Sequence, residues 1–167
     1  MNTNYIYSLI SNNNNDCNYR IIKDLINKGI DIHYDNDYAL VESTYHYNPK
    51  TVQLLLDSGC NIHTYDDRAF ISSVTNNHYE VAKILLENGA YVDANDCEAI
   101  KFCSIVNNIK MIKLLLDYGA NYLIILKYYI SKCNFELINI LCEAGIDFNK
   151  YNILLDVCYS SINDSHY

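Results

Sequence analysis

Tryptophan is absent from this 167-residue chain, proline occurs once and glycine only five times. Basic residues are also scarce: 12 Lys and Arg stand against 20 Asp and Glu, for a formal net charge of −8. That balance argues against a nucleic-acid partner, because phosphate binding needs clustered Lys and Arg. The start, Met1-Asn-Thr-Asn-Tyr, has neither a basic region nor a long apolar run, so no secretory signal is expected. The most apolar stretch, 122–130, contains Lys127 and falls far short of the roughly 20 residues that span a bilayer, so no membrane partner is expected. The seven cysteines are odd in number and form no Cys-x-x-Cys pair. A reduced cytoplasmic chain accounts for them. There is no Gly-rich phosphate loop, no Ser/His/Asp order and no His-Glu-x-x-His. The chain is therefore read as no enzyme, with no cofactor.

What is present is a repeat. All five glycines, Gly29, Gly59, Gly89, Gly119 and Gly145, close similar segments, and the first four lie 30 residues apart. The clearest copy runs from His78 to Ala90, His-Tyr-Glu-Val-Ala-Lys-Ile-Leu-Leu-Glu-Asn-Gly-Ala. Val81, Ile84 and Leu85 make an apolar stripe while Glu80, Lys83 and Glu87 face away, the spacing of a half-buried helix. Asn77 is expected to cap its start, with Glu80 completing a capping box, and Gly89 to end it in the left-handed region. Asn18, Asn48, Asn108 and Asn134 are expected to cap the other copies. The one proline, Pro49, falls at a first helical position, where a missing N–H costs nothing.

Between these helices the chain reads as an Asp- and Asn-rich turn and then a shorter helix. Ala39, Ala69 and Ala99 match, as do Leu40, Phe70 and Ile100, and Ser43, Ser73 and Cys103 supply a small residue where neighbours stack. The organisation is an N-terminal capping repeat over 1–34, repeats over 35–64, 65–94 and 95–124, a shortened repeat over 125–148, and a C-terminal cap and tail over 149–167. The run Asn12 to Asn15 reads as a polar loop. The abundance of Asn and Tyr, with tryptophan absent, is read as a bias of an A- and T-rich genome rather than of the fold.

His78-Tyr-Glu-Val-Ala-Lys-Ile-Leu-Leu-Glu-Asn-Gly-Ala, Lys113-Leu-Leu-Leu-Asp-Tyr-Gly-Ala-Asn and Gln53-Leu-Leu-Leu-Asp-Ser-Gly resemble the outer helix of ankyrin repeats. The resemblance implies an all-α solenoid of stacked helix–loop–helix units, used for binding other proteins. The family period is about 33 residues, against 30 here. The family's Thr-Pro-Leu-His is replaced by Asp37-Tyr-Ala-Leu-Val, Asp67-Arg-Ala-Phe-Ile and Cys97-Glu-Ala-Ile-Lys. Shorter turns and weaker turn-to-turn bonding are therefore expected. The composition and degenerate repeats resemble ankyrin proteins of giant, mimivirus-like DNA viruses.

Five histidines raise the question of a metal. His33 and His63 share a repeat position, but stacked units lie about 10 Å apart and zinc–nitrogen bonds are about 2 Å. No metal site is expected from that pair. The carboxylates of the turns have no buried partner to perturb them, so catalytic residues are not expected either. The pattern with functional content is a ladder of turn and inner-helix positions. It comprises Asp35, Asn36, Asp37, Tyr45 and His46; then Tyr65, Asp66, Asp67, Thr75 and Asn76; then Asn95, Asp96 and Ile105. Aromatic anchors among carboxylates suit a protein interface, so the expectation is a monomeric, non-enzymatic scaffold binding an unidentified host or viral protein through an acidic concave face. A ubiquitin-ligase adaptor is the alternative, but the stretch after Gly145 is too short for an F-box. The resemblance also implies possible hydroxylation four residues after each glycine, where His33, His63, Asp93 and Asn149 stand.

Overall fold

The computed structural model describes residues 3–12 and 16–124. The expectations for 125–148, 149–167, Asn134, Asn149 and the loop at 13–15 lie outside them. The chain divides into two compact units, one ending at Ala99 and one beginning at Ile100.

The first unit is built from helix pairs: α1 (Thr3–Ser11) with α2 (Asp16–Asn27), α3 (Tyr34–Tyr45) with α4 (Pro49–Asp57), and α5 (Thr64–Thr75) with α6 (Tyr79–Glu87). Inner helices α1, α3 and α5 pack in sequence, and so do outer helices α2, α4 and α6, giving two helical layers. Helix α7 (Ala94–Ile105) crosses the boundary, and α8 (Ile109–Asp117) lies in the second unit. The described residues contain no strand.

The core follows the repeat. Ala39, Leu40, Ala69 and Phe70 are buried on the inner helices, and Val52, Leu55, Val81 and Leu85 on the outer ones. Each large apolar side chain among them contributes about 1.5–3 kcal/mol on burial. On α6 the buried stripe is Val81, Ala82, Leu85 and Leu86, while Ile84 is only half-buried. The stripe is rotated from the sequence expectation because α6 packs on both α5 and α4. Ser43 and Ser73 are fully buried and donate to the carbonyls of Leu40 (2.7 Å) and Phe70 (2.6 Å). Small size admits the neighbouring helix, and the local bond satisfies the hydroxyl. In the second unit Ile100, Cys103, Met111, Ile112 and Leu115 are buried.

The outer helices end as expected. Gly89 has φ +95°, its N–H bonds the carbonyl of Leu86, and Ala90 N–H bonds that of Leu85 at 3.0 Å. This is the Schellman pattern, and it recurs at Gly29, Gly59 and Gly119. Helices α3, α5 and α7 end the same way without glycine, at Tyr47, Asn77 and Asn107. Asn77 therefore closes α5 rather than capping α6, whose N-cap is His78 with no side-chain cap bond. Asn18 lies within α2, where its amide donates to the carbonyl of Leu9 at the end of α1. Asn108 does cap, accepting Met111 N–H at 3.2 Å, whereas Asn48 occupies the cap position without a cap bond.

The missing three residues of each repeat are absorbed by a left-handed turn. Asp35, Asn36 and Asp37, then Tyr65, Asp66 and Asp67, then Asn95, Asp96 and Cys97 all have φ between +47° and +61°. Asn and Asp enter that region more readily than other non-glycine residues, which accounts for the Asp/Asn-rich composition of these segments. The right-handed inner helix begins only after the third residue of each triplet.

Candidate interaction face

The third residue of the turn is the structural hinge of the site. Asp37 is 6% exposed and Asp67 only 2%. His33 Nδ1 lies 2.6 Å from Asp37 Oδ1, and Asp37 Oδ2 accepts the backbone N–H of Asn61 at 3.1 Å. One repeat on, His63 Nδ1 lies 3.1 Å from Asp67 Oδ1, which accepts the N–H of Tyr91 at 3.0 Å. Asp31 and Asn61 hold the two histidine backbones by accepting their N–H groups at 2.9 and 3.0 Å. The expected weakening of turn-to-turn bonding is thus corrected at the first two turns: a buried carboxylate joins each of them to the next unit, and bonds to a charged acceptor are the stronger kind. Asp37 and Asp67 belong to the stack and are not presented to solvent.

The other positions of the ladder divide by exposure. Asp35, Asn36, Tyr45, Tyr65, Asp66, Asn76, Asn95 and Asp96 are exposed in the first unit, and His46 and Thr75 are half-buried there. Ile105 is exposed in the second unit. Several have internal duties. Asn76 donates to the carbonyl of Ser72 at 2.8 Å, Thr75 to that of Ile71 at 3.0 Å, and His46 Nε2 lies 3.2 Å from Glu42 Oε1. The Tyr65 hydroxyl reaches back one repeat to the carbonyl of Asp35 at 3.2 Å. These contacts align successive turns side by side.

The sequence reading missed the tyrosines around the ladder. Tyr34, Tyr38, Tyr47 and Tyr91 are exposed, Tyr91 to 63%. Tyr38 meets Tyr7 edge-on with centroids 5.8 Å apart, and Tyr91 stacks on His63 at 4.1 Å. Burial, then the charge of Asp35, pushes the Tyr7 hydroxyl up to about 12, and burial followed by Glu42 raises that of Tyr38. These two phenols, Tyr7 and Tyr38, stay neutral donors at physiological pH. The signal was the count of 17 tyrosines, several flanking the turns. The acidic row is also interrupted: Arg68 lies 4.0 Å from Glu98.

No curated protein gives a significant match to the chain. No helix among the described residues is long and apolar enough to cross a membrane. The family model for ankyrin repeats, in three copies, matches residues 8–96, more than half of the chain. With its repeated helix pairs, glycine-closed outer helices and carboxylate-linked turns, the chain belongs to the ankyrin-repeat family, whose repeats generally mediate protein–protein interaction.

Proposed function

We propose that the chain is a non-enzymatic scaffold that takes a protein partner on its inner helices and turns. One observation carries this reading. Among the described residues of the first unit, every exposed large hydrophobic side chain, Tyr5, Tyr34, Tyr38, Tyr45, Tyr47, Tyr65 and Tyr91, lies on an inner helix, a turn or a loop. None lies on α2, α4 or α6, which expose Lys23, Lys50 and Lys83 with Asp24, Asp57, Glu80 and Glu87. Tyrosine brings large contact area, little rotamer entropy and a hydroxyl, the features of interface hot spots. Exposed Asp35 and Asp66 beside these rings suit a partner that offers cations or amide donors.

The test begins with affinity purification of the tagged chain from cells and mass spectrometry of what it captures. Two variants follow. One carries Tyr34→Ser, Tyr45→Ser, Asp35→Lys and Asp66→Lys, and the other Lys23→Glu, Glu80→Lys and Lys83→Glu. The first should weaken capture more than about tenfold with helicity unchanged, as loss of hot-spot side chains implies. The second should leave capture intact. The reverse pattern rejects the inner face.

A further inference from the structure

Cys60 departs from the repeat. It follows Gly59 directly, in the place that Ala90 and Ala120 occupy after the next two glycines. Its sulfur, a His33 ring nitrogen and an Asp37 carboxylate oxygen all lie within 4.8 Å of one another. Asp37 and Cys60 are more than nine-tenths buried, whereas His33 is exposed, so the cluster opens to solvent on one side. We propose that His33, Asp37 and Cys60 form a binding site for a divalent transition-metal ion of the zinc type, with a solvent molecule completing the coordination.

The donor set fits that chemistry. Imidazole, carboxylate and thiolate are the three side-chain ligand types of zinc, at about 2.0–2.3 Å. Tetrahedral bonds of that length place neighbouring donor atoms about 3.5 Å apart. Here the three donor atoms all lie within 4.8 Å of one another, with His33 Nδ1 2.6 Å from Asp37 Oδ1, so none is far from this value. Side-chain rotation is enough to reach it. A soft thiolate favours zinc, or cobalt as its probe, over magnesium or calcium.

The surroundings are also suited. Asp37 Oδ2 is held by the Asn61 N–H at 3.1 Å, leaving Oδ1 for the ion, and the His33 backbone is held by Asp31 at 2.9 Å. Such outer bonds orient metal ligands. Carboxylate and thiolate together carry two negative charges, which a dication neutralises in place of the thiol proton. The next repeat supplies an internal control. His63 and Asp67 reproduce the first two ligands, but Ala90 offers none. The site is distinct from a pairing of His33 with His63, and it is independent of the partner-binding reading.

The experiment is a cobalt(II) titration of the reduced full chain, read by thiolate-to-metal charge-transfer absorption, followed by displacement with zinc. One equivalent should produce the band. Cys60→Ala, which installs the residue of the next two repeats, should abolish it, and His33→Ala should weaken affinity more than about tenfold. Ala90→Cys should build a second site on His63 and Asp67 and raise the stoichiometry to two. No band in the unaltered chain, or an undiminished band in Cys60→Ala, overturns the proposal. A stoichiometry of one in Ala90→Cys overturns the three-ligand geometry as its basis.

Discussion

The Asp67 carboxylate accepts the backbone N–H of Tyr91 at 3.0 Å, across 24 residues of sequence. Asp37 does the same for Asn61. A short left-handed turn brings the third turn residue back into the stack, where its side chain bonds the backbone of the next unit. Both carboxylates are shielded from water, so the bonds face little competition.

Removing this acceptor leaves a main-chain donor unpaired. Asp67→Ala should lower the unfolding free energy by about 2 kcal/mol. Asp67→Asn retains an acceptor and should lose less. Tyr91→Phe should be near neutral, because the donor is the backbone and the ring still stacks on His63. Urea denaturation followed by circular dichroism reads all three.

Gly89 isolates backbone strain. A Cβ built there meets nothing within 4 Å, but φ is +95°. Gly89→Ala should therefore cost about 1–2 kcal/mol through conformation alone. A thermal melt measures this, and an unchanged midpoint would show that the α6 terminus is not held left-handed.

Tyr7 makes stability fall at high pH. Its hydroxyl is raised from 10.0 to about 12, first by burial and then by Asp35. A raised acid pKa means that the unfolded chain loses the proton first. The contribution is complete below pH 10.0 and is lost as pH climbs toward about 12. Tyr7→Phe should flatten that limb of the stability curve relative to the unaltered chain, as read by denaturation at stepped pH.

The thiols should separate by reactivity. Cys17 is exposed, whereas Cys60 and Cys103 are buried, with burial as the main cause pushing both thiols up to about 12. Under native, reducing-agent-free conditions at neutral pH, iodoacetamide should label Cys17 more than about tenfold faster than either. Peptide mapping by mass spectrometry gives the order, and equal rates would contradict the packing at 60 and 103.

Much of the fold was legible because its signals are local. An apolar stripe, a closing glycine and a 30-residue spacing act within one helix, so the outer helices and their Schellman ends at Gly29, Gly59, Gly89 and Gly119 could be read directly. The cap of α6 was misplaced by one residue because Asn77 satisfies the local rules for both a cap and a left-handed terminator. The left-handed φ of Asn77, with the backbone bond from His78 to the Ser73 carbonyl at 2.7 Å, distinguishes them.

The candidate site was less legible. Asp35, Asp37, Asp66 and Asp67 look alike in sequence, as polar residues of one turn. The direction of the left-handed turn exposes the first of each pair and buries the second.

Sequence alone determined the repeat, its helices and its membership of an interaction family, since short-range periodicity and composition encode these. Tertiary structure decided which carboxylates link units, which tyrosines remain exposed and that Cys60 meets His33 and Asp37. Those outcomes depend on contacts between residues about one repeat apart in sequence. They exist only once the units are stacked.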